Sequence, residues 1–248
     1  MKASSLTRLI FSMGAAALLL TSPLFGASPF DSLTWNDGTN DVTSTSSALQ
    51  TVDTDSTLVS FTVGANTYTQ FTGITSLIDN TDPSTDYYYG ENGTDPGSLT
   101  AALTDTRIDT GALNVISDTR YVFASAPTSL DDVIVFMEFG GTDNSDFELF
   151  DSSGAQVGSR VNGYSNWSPA VARIDTNTND PLNINTVAFT LADFGITQTS
   201  QLSSIHSLST SVSGHDPIWV GIAAIPEPGT LVLAGIALAC LVVFRRRR

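Results

Sequence analysis

Cysteine, histidine and positive charge are scarce in this sequence, and each shortage closes off some chemistry. Among 248 residues there is one cysteine, Cys240, and it sits in an apolar run near the C-terminus. A disulfide framework, a thiol nucleophile and a cysteine-based metal site are thereby excluded from the remainder, which must be stabilised by a hydrophobic core. His206 and His215 are the two histidines. Lysine and arginine together number 10 against 25 acids, a net charge of -15. Lys2, Arg8 and Arg245 to Arg248 lie in the two ends, so the stretch between them keeps only Arg107, Arg120, Arg160 and Arg173 and has no lysine. Nucleic-acid binding needs clustered cations and is not expected. The same negative charge repels an anionic membrane surface and favours a soluble domain.

What is present at the N-terminus is the pattern of an export signal. Lys2 and Arg8 precede an apolar core from Leu9 to Leu20, and small residues follow at Gly26 and Ala27. Residues 1–27 are read as a secretory signal peptide cut near residues 26–28. The C-terminus has a different pattern. Pro226, Glu227, Pro228 and Gly229 are followed by an apolar run from Thr230 to Phe244 and then by Arg245, Arg246, Arg247 and Arg248. The two prolines stop a helix from running back into the preceding domain. The run is shorter than the roughly 20 residues that span a bilayer comfortably, but it crosses with thinning or help from its flanks. The arginines hold its end on the cytoplasmic side, which leaves the domain outside.

Residues 226–248 resemble the PEP-CTERM sorting signal of bacterial surface proteins. The resemblance implies recognition by exosortase, a membrane-embedded cysteine transpeptidase, with the protein anchored through its C-terminal helix before processing. It also implies a final place on the cell surface or in the extracellular matrix, in association with extracellular polysaccharide and biofilm. A permanent, uncut tail anchor satisfies the same hydropathy pattern.

Residues 28–225 read as one all-β domain, a single β-sandwich of jelly-roll type. Short runs rich in β-branched and aromatic residues predict strands over 57–63, 67–74, 119–124, 132–139, 146–151, 185–191 and 217–223. Turn-forming clusters such as DSSGAQ separate them. The segment QLSSIHSLSTSV (201–212) spaces Leu202, Ile205, Leu208 and Val212 at helical intervals, yet its serine and threonine content favours a strand. The polar stretch up to residue 56 is expected to be loosely ordered.

No hydrolase, zincin, P-loop or dinucleotide motif is present, and no catalytic residue is assigned. His215 in SGHDPIW reads as a turn histidine. Aromatic rings in polar surroundings are the best binding signal: Tyr87, Tyr88 and Tyr89 in one loop, Tyr164 and Trp167 in another, offer ring faces to sugar C–H groups. Asp143, Asp146, Asp175 and Asp180 in acidic turns are the weak candidates for a structural calcium ion, the one cofactor considered. Two alternatives stand beside a structural or polysaccharide-associated role: a protein-binding adhesin, and a carbohydrate-active enzyme using paired carboxylates. The second rests on register. A hairpin centred on Asp143 would place Phe139 opposite Phe147, Met137 opposite Leu149, and Glu138 opposite Glu148.

Overall fold

A computed structural model describes residues 26–53, 55–78, 86–89, 102–104, 107–113, 119–140, 144–174, 181–210 and 215–225. In chain order the strands begin with β1 (Ser32–Asn36), β2 (Asp41–Thr45), β3 (Thr51–Val52), β4 (Thr57–Val63), β5 (Asn66–Tyr68) and β6 (Gln70–Thr72). They continue with β7 (Ile74–Ile78), β8 (Asp86–Tyr89), β9 (Thr110–Leu113), β10 (Arg120–Phe123), β11 (Val133–Phe139) and β12 (Ser145–Phe150). The last are β13 (Gln156–Tyr164), β14 (Ala172–Ile174), β15 (Leu182–Thr190), β16 (Ser207–Thr210) and β17 (Pro217–Ala224). Two short 3-10 turns, Leu191–Phe194 and Thr199–Ser204, lie between β15 and β16.

The class is all-β, as expected, but the architecture has three layers where a sandwich has two. The central sheet runs β3-β14-β15-β11-β17-β6; a four-stranded sheet β2-β1-β4-β5 and a five-stranded sheet β13-β12-β16-β10-β7 cover its two faces. Strand β11 shows why. All seven of its residues are buried. Ile134 and Phe136 pack toward the five-stranded sheet with Tyr121, Phe147 and Leu208, while Val133, Val135, Met137 and Phe139 pack toward the four-stranded sheet with Leu33, Trp35 and Phe61. A nearly continuous apolar run, interrupted here only by Glu138, is what a strand buried on both faces requires.

The turn-rich segment after β11 does not make a hairpin. β11 pairs with β15 and β17, whereas β12 pairs with β13 and β16 in a different sheet. β11 and β12 therefore belong to different layers, and Glu138 and Glu148 are not cross-strand partners. The N-terminal stretch, expected to be loose, forms β1, β2 and β3. Leu33 and Trp35 alternate with polar residues along β1 and are buried, as is Phe30 just before it. Its polar residues bond across strands: Ser32 with Thr62 at 2.7 Å, Thr34 with Thr43 at 3.0 Å, and the Asn36 amide donating to Asp41 at 2.8 Å. The 201–212 segment divides, its first part lying in the second 3-10 turn and Ser207–Thr210 in β16. Among the described residues no helix is long and apolar enough to cross a membrane; residues 1–25 and 226–248, with the leader, hinge, apolar run and arginines, lie outside them.

Candidate functional site

The aromatic pair proposed for glycan contact is core. Trp167 has no exposed surface and Tyr164 keeps 8%. The two rings meet edge to face at 5.2 Å, and Tyr164 packs on Phe189 at 5.2 Å. The Tyr164 hydroxyl donates to the Asn166 carbonyl at 2.8 Å, and the Trp167 carbonyl accepts from the Asn185 amide at 2.7 Å. Burial, then the charges of Asp193 and Glu138, raise the Tyr164 hydroxyl well above its ordinary pKa. The exposed residues of that loop are Asn162, Gly163, Ser165, Asn166, Ser168 and Pro169, while both rings turn inward, so neither ring face is available to a ligand. Tyr87, Tyr88 and Tyr89 lie in β8, which pairs with β9 and is described by its backbone path alone.

The carboxylates proposed as a pair are separated by a sheet. Glu138 shares the face of β11 that carries Ile134 and Phe136, so it points into the core. Glu148 alternates with the buried Phe147 and Leu149 and points outward, where Arg160 Nε meets it at 2.9 Å. Glu138 and Glu148 therefore do not form the expected dyad. Arg160 also reaches Asp146 at 3.4 Å, and Asp146 accepts from the Gly163 N–H at 2.6 Å. Asp146 is thus engaged by protein partners; Asp143, Asp175 and Asp180 lie outside the described residues. Among the described residues no group of three or more His, Cys, Asp or Glu is placed to hold a metal ion.

Sequence reasoning missed a buried polar cluster around His215, which is a core residue and not a turn histidine. His215, Glu138 and Ser145 all have no exposed surface. The Ser145 hydroxyl lies 3.3 Å from His215 Nδ1, and Glu138 Oε2 lies 3.7 Å from the same nitrogen. A serine–histidine–acid relay uses the two ring nitrogens separately, with the serine open to substrate. Here both partners converge on one nitrogen and all three side chains are buried, which is not the arrangement of that relay. Burial against Phe136 and Phe147 lowers the His215 pKa from 6.5 to about 4, which makes the imidazole neutral at pH 7.

An open cleft of about 350 Å³ lies at one end of the five-stranded sheet, walled by residues 123–126, 151–152 and 203–206. It draws on three distant stretches, in which serines, Asp151 and His206 stand among the apolar Phe123, Ala124, Ala126 and Ile205. Backbone bonds pin the walls together: His206 N–H to Phe150 carbonyl at 2.8 Å, Phe123 N–H to His206 carbonyl at 3.0 Å, and Ala124 N–H to Gly73 carbonyl at 2.9 Å. Asp151 Oδ1 accepts from the Ser153 N–H at 2.8 Å, the Ser153 hydroxyl at 2.7 Å and the Ala155 N–H at 2.9 Å. These bonds, the Ser153 hydroxyl foremost, hold the Asp151 carboxyl below its usual range, so it is ionised at neutral pH. All three go to Oδ1, which leaves Oδ2 its accepting capacity.

One wall of the cleft is linked through β6 to β17, the last described strand. Gly73, which bonds Ala124, directly follows Thr72, and Thr72 pairs with Ile222 near the end of β17. Ile225, just past β17, packs against the core on the other face of the central sheet. No curated protein and no solved structure matches the chain. A family model does match its last part: residues 224–248 fit the PEP-CTERM protein-sorting motif. The chain carries a PEP-CTERM protein-sorting motif that begins at Ala224, the last residue of β17, and this marks it as an exported protein of the kind processed by an exosortase.

Proposed function

We infer that the exported domain is a structural, polysaccharide-associated component of the cell surface or extracellular matrix, released from its anchor by an exosortase-type enzyme. The observation that carries this reading is the direct junction between fold and signal: the motif begins where β17 ends, and Ile225 still packs against the core. A protein displayed in this way stands against the surface that holds it, within reach of whatever polymer coats that surface. A reading as a non-catalytic module is supported by the closed geometry at His215 and by the outward turn of Glu148. Fractionation tests it. A protein tagged after Arg248 should lose the tag in cells with exosortase and keep it in cells without, and the released domain should co-purify with the polysaccharide fraction. Tag retention in both hosts would leave a permanent anchor, and recovery as free protein would remove the polysaccharide association.

A further inference from the structure

We propose that the cleft between residues 123–126, 151–152 and 203–206 is a binding subsite for a neutral polyhydroxylated ligand, one or two rings of an uncharged glycan. The proposal rests on the polysaccharide-associated reading of the domain and assigns it a place. Its volume, about 350 Å³, is at the lower end of the ~300–1,000 Å³ range of small-molecule sites.

The chemistry of the walls selects the ligand. Ser125, Ser152, Ser203 and Ser204 bring hydroxyls, His206 an imidazole and Asp151 a carboxylate, and no lysine or arginine lines the cleft. An anionic ligand would meet the ionised Asp151 with no lysine or arginine in the lining to balance it; Arg120 stacks on the Phe150 ring outside the lining. A hard divalent cation takes six to eight oxygens, usually several of them carboxylate, and Asp151 is the single carboxylate here. An apolar ligand would strip water from these polar groups without replacing their hydrogen bonds. Sugar hydroxyls both donate and accept, as serine hydroxyls do, and they can donate to Asp151 Oδ2. Because the walls are tied by backbone bonds between separate segments, little ordering is needed on binding. One wall is linked through β6 to β17, the strand from which the sorting motif continues.

The test uses the full chain in detergent and two probes from the producing cells, the neutral and the acidic polysaccharide fractions, each immobilised for affinity measurement. Two variants accompany the wild type. Ser203→Trp fills the cleft, and Asp151→Asn keeps the Oδ1 acceptor of the turn while replacing the carboxylate by an amide. The wild type should bind the neutral fraction in preference to the acidic one, and both variants should bind it at least tenfold more weakly with unchanged melting temperature. If Ser203→Trp unfolds, Asp151→Asn decides. Undiminished binding by the folded variants overturns the cleft assignment and leaves the polysaccharide reading intact. Binding to the acidic fraction alone overturns the neutral ligand class. If the wild type binds neither fraction, both the cleft and the polysaccharide reading fall.

Discussion

Acidification should destabilise this domain through His215 in a defined pH window. In the folded protein the imidazole has no exposed surface and a pKa lowered from 6.5 to about 4 by burial. An unfolded chain takes up a proton on this side chain as pH falls through 6.5, while the folded one does not until about pH 4. The unfolded state therefore binds more protons across that interval, and stability falls as pH falls. At ~1.36 kcal/mol per pKa unit, a difference of about 2.5 units amounts to about 3 kcal/mol, fully lost below pH 4 and fully present above 6.5. Glu138, 3.7 Å from Nδ1, acts in the opposite sense if ionised, because a carboxylate favours the imidazolium. The assay is urea denaturation between pH 4 and 7.5 for the wild type and for His215→Gln, which removes the titrating group. Carboxylates other than Glu138 contribute equally to both proteins, so the difference between the curves isolates His215 together with its coupling to Glu138. The wild type should lose about 3 kcal/mol more than the variant across the window. A flat difference, or one in which the wild type gains relative stability on acidification, would mean that His215 and Glu138 form a buried ion pair and would refute the neutral-imidazole argument.

Other predictions follow from packing. Trp167→Ala should cost roughly 3–5 kcal/mol in chemical denaturation, as expected for truncating a fully buried large aromatic; a loss below 1 kcal/mol would mean the ring is not core. Glu148→Gln should destabilise by only about 0.5–1 kcal/mol, since it weakens an ion pair to Arg160, which is 41% exposed, and a stabilised variant would show that the arginine is not its partner. Gly158 has φ 75°, and a Cβ there would collide with the Phe194 carbonyl oxygen. Gly158→Ala should lower the melting temperature measurably by forcing β13 away from the first 3-10 turn, which differential scanning calorimetry would record.

How much of this was legible in the sequence depended on whether the deciding contacts were local. The TLVSFTV strand alternates and is flanked by turn residues, and it forms β4 as read, Thr57–Val63. VIVFMEF was also read as a strand, but its apolar character, broken only by Glu138, meant burial on two faces and hence a third layer. The hairpin register failed for an instructive reason. Any two strands that bury alternate residues will match like with like across a turn, so the agreement of Phe139 with Phe147 carried no information about pairing. Tyr164 and Trp167 looked exposed because their neighbours are polar, yet those neighbours stay in water while the rings turn inward. The cleft had no sequence signal at all, since its walls come from three distant stretches brought together only by the tertiary fold. The sorting signal was the most legible part because its information is local: two prolines, an apolar run and a charge cluster in fixed order.

The position of β17 determines how the tethered molecule bears force. Its residues pair with β11 along nearly the whole strand and, at Ile222, Ala223 and Ala224, with β6 on the other side. A pull on the tail, from flow or from a neighbouring cell, enters at Ala224 and runs along the strand axis. Extraction then has to slide β17 past both neighbours, breaking many hydrogen bonds together instead of peeling them one at a time. The central sheet acts as a mechanical clamp at the attachment point, so under load the tail should extend or detach before the domain opens.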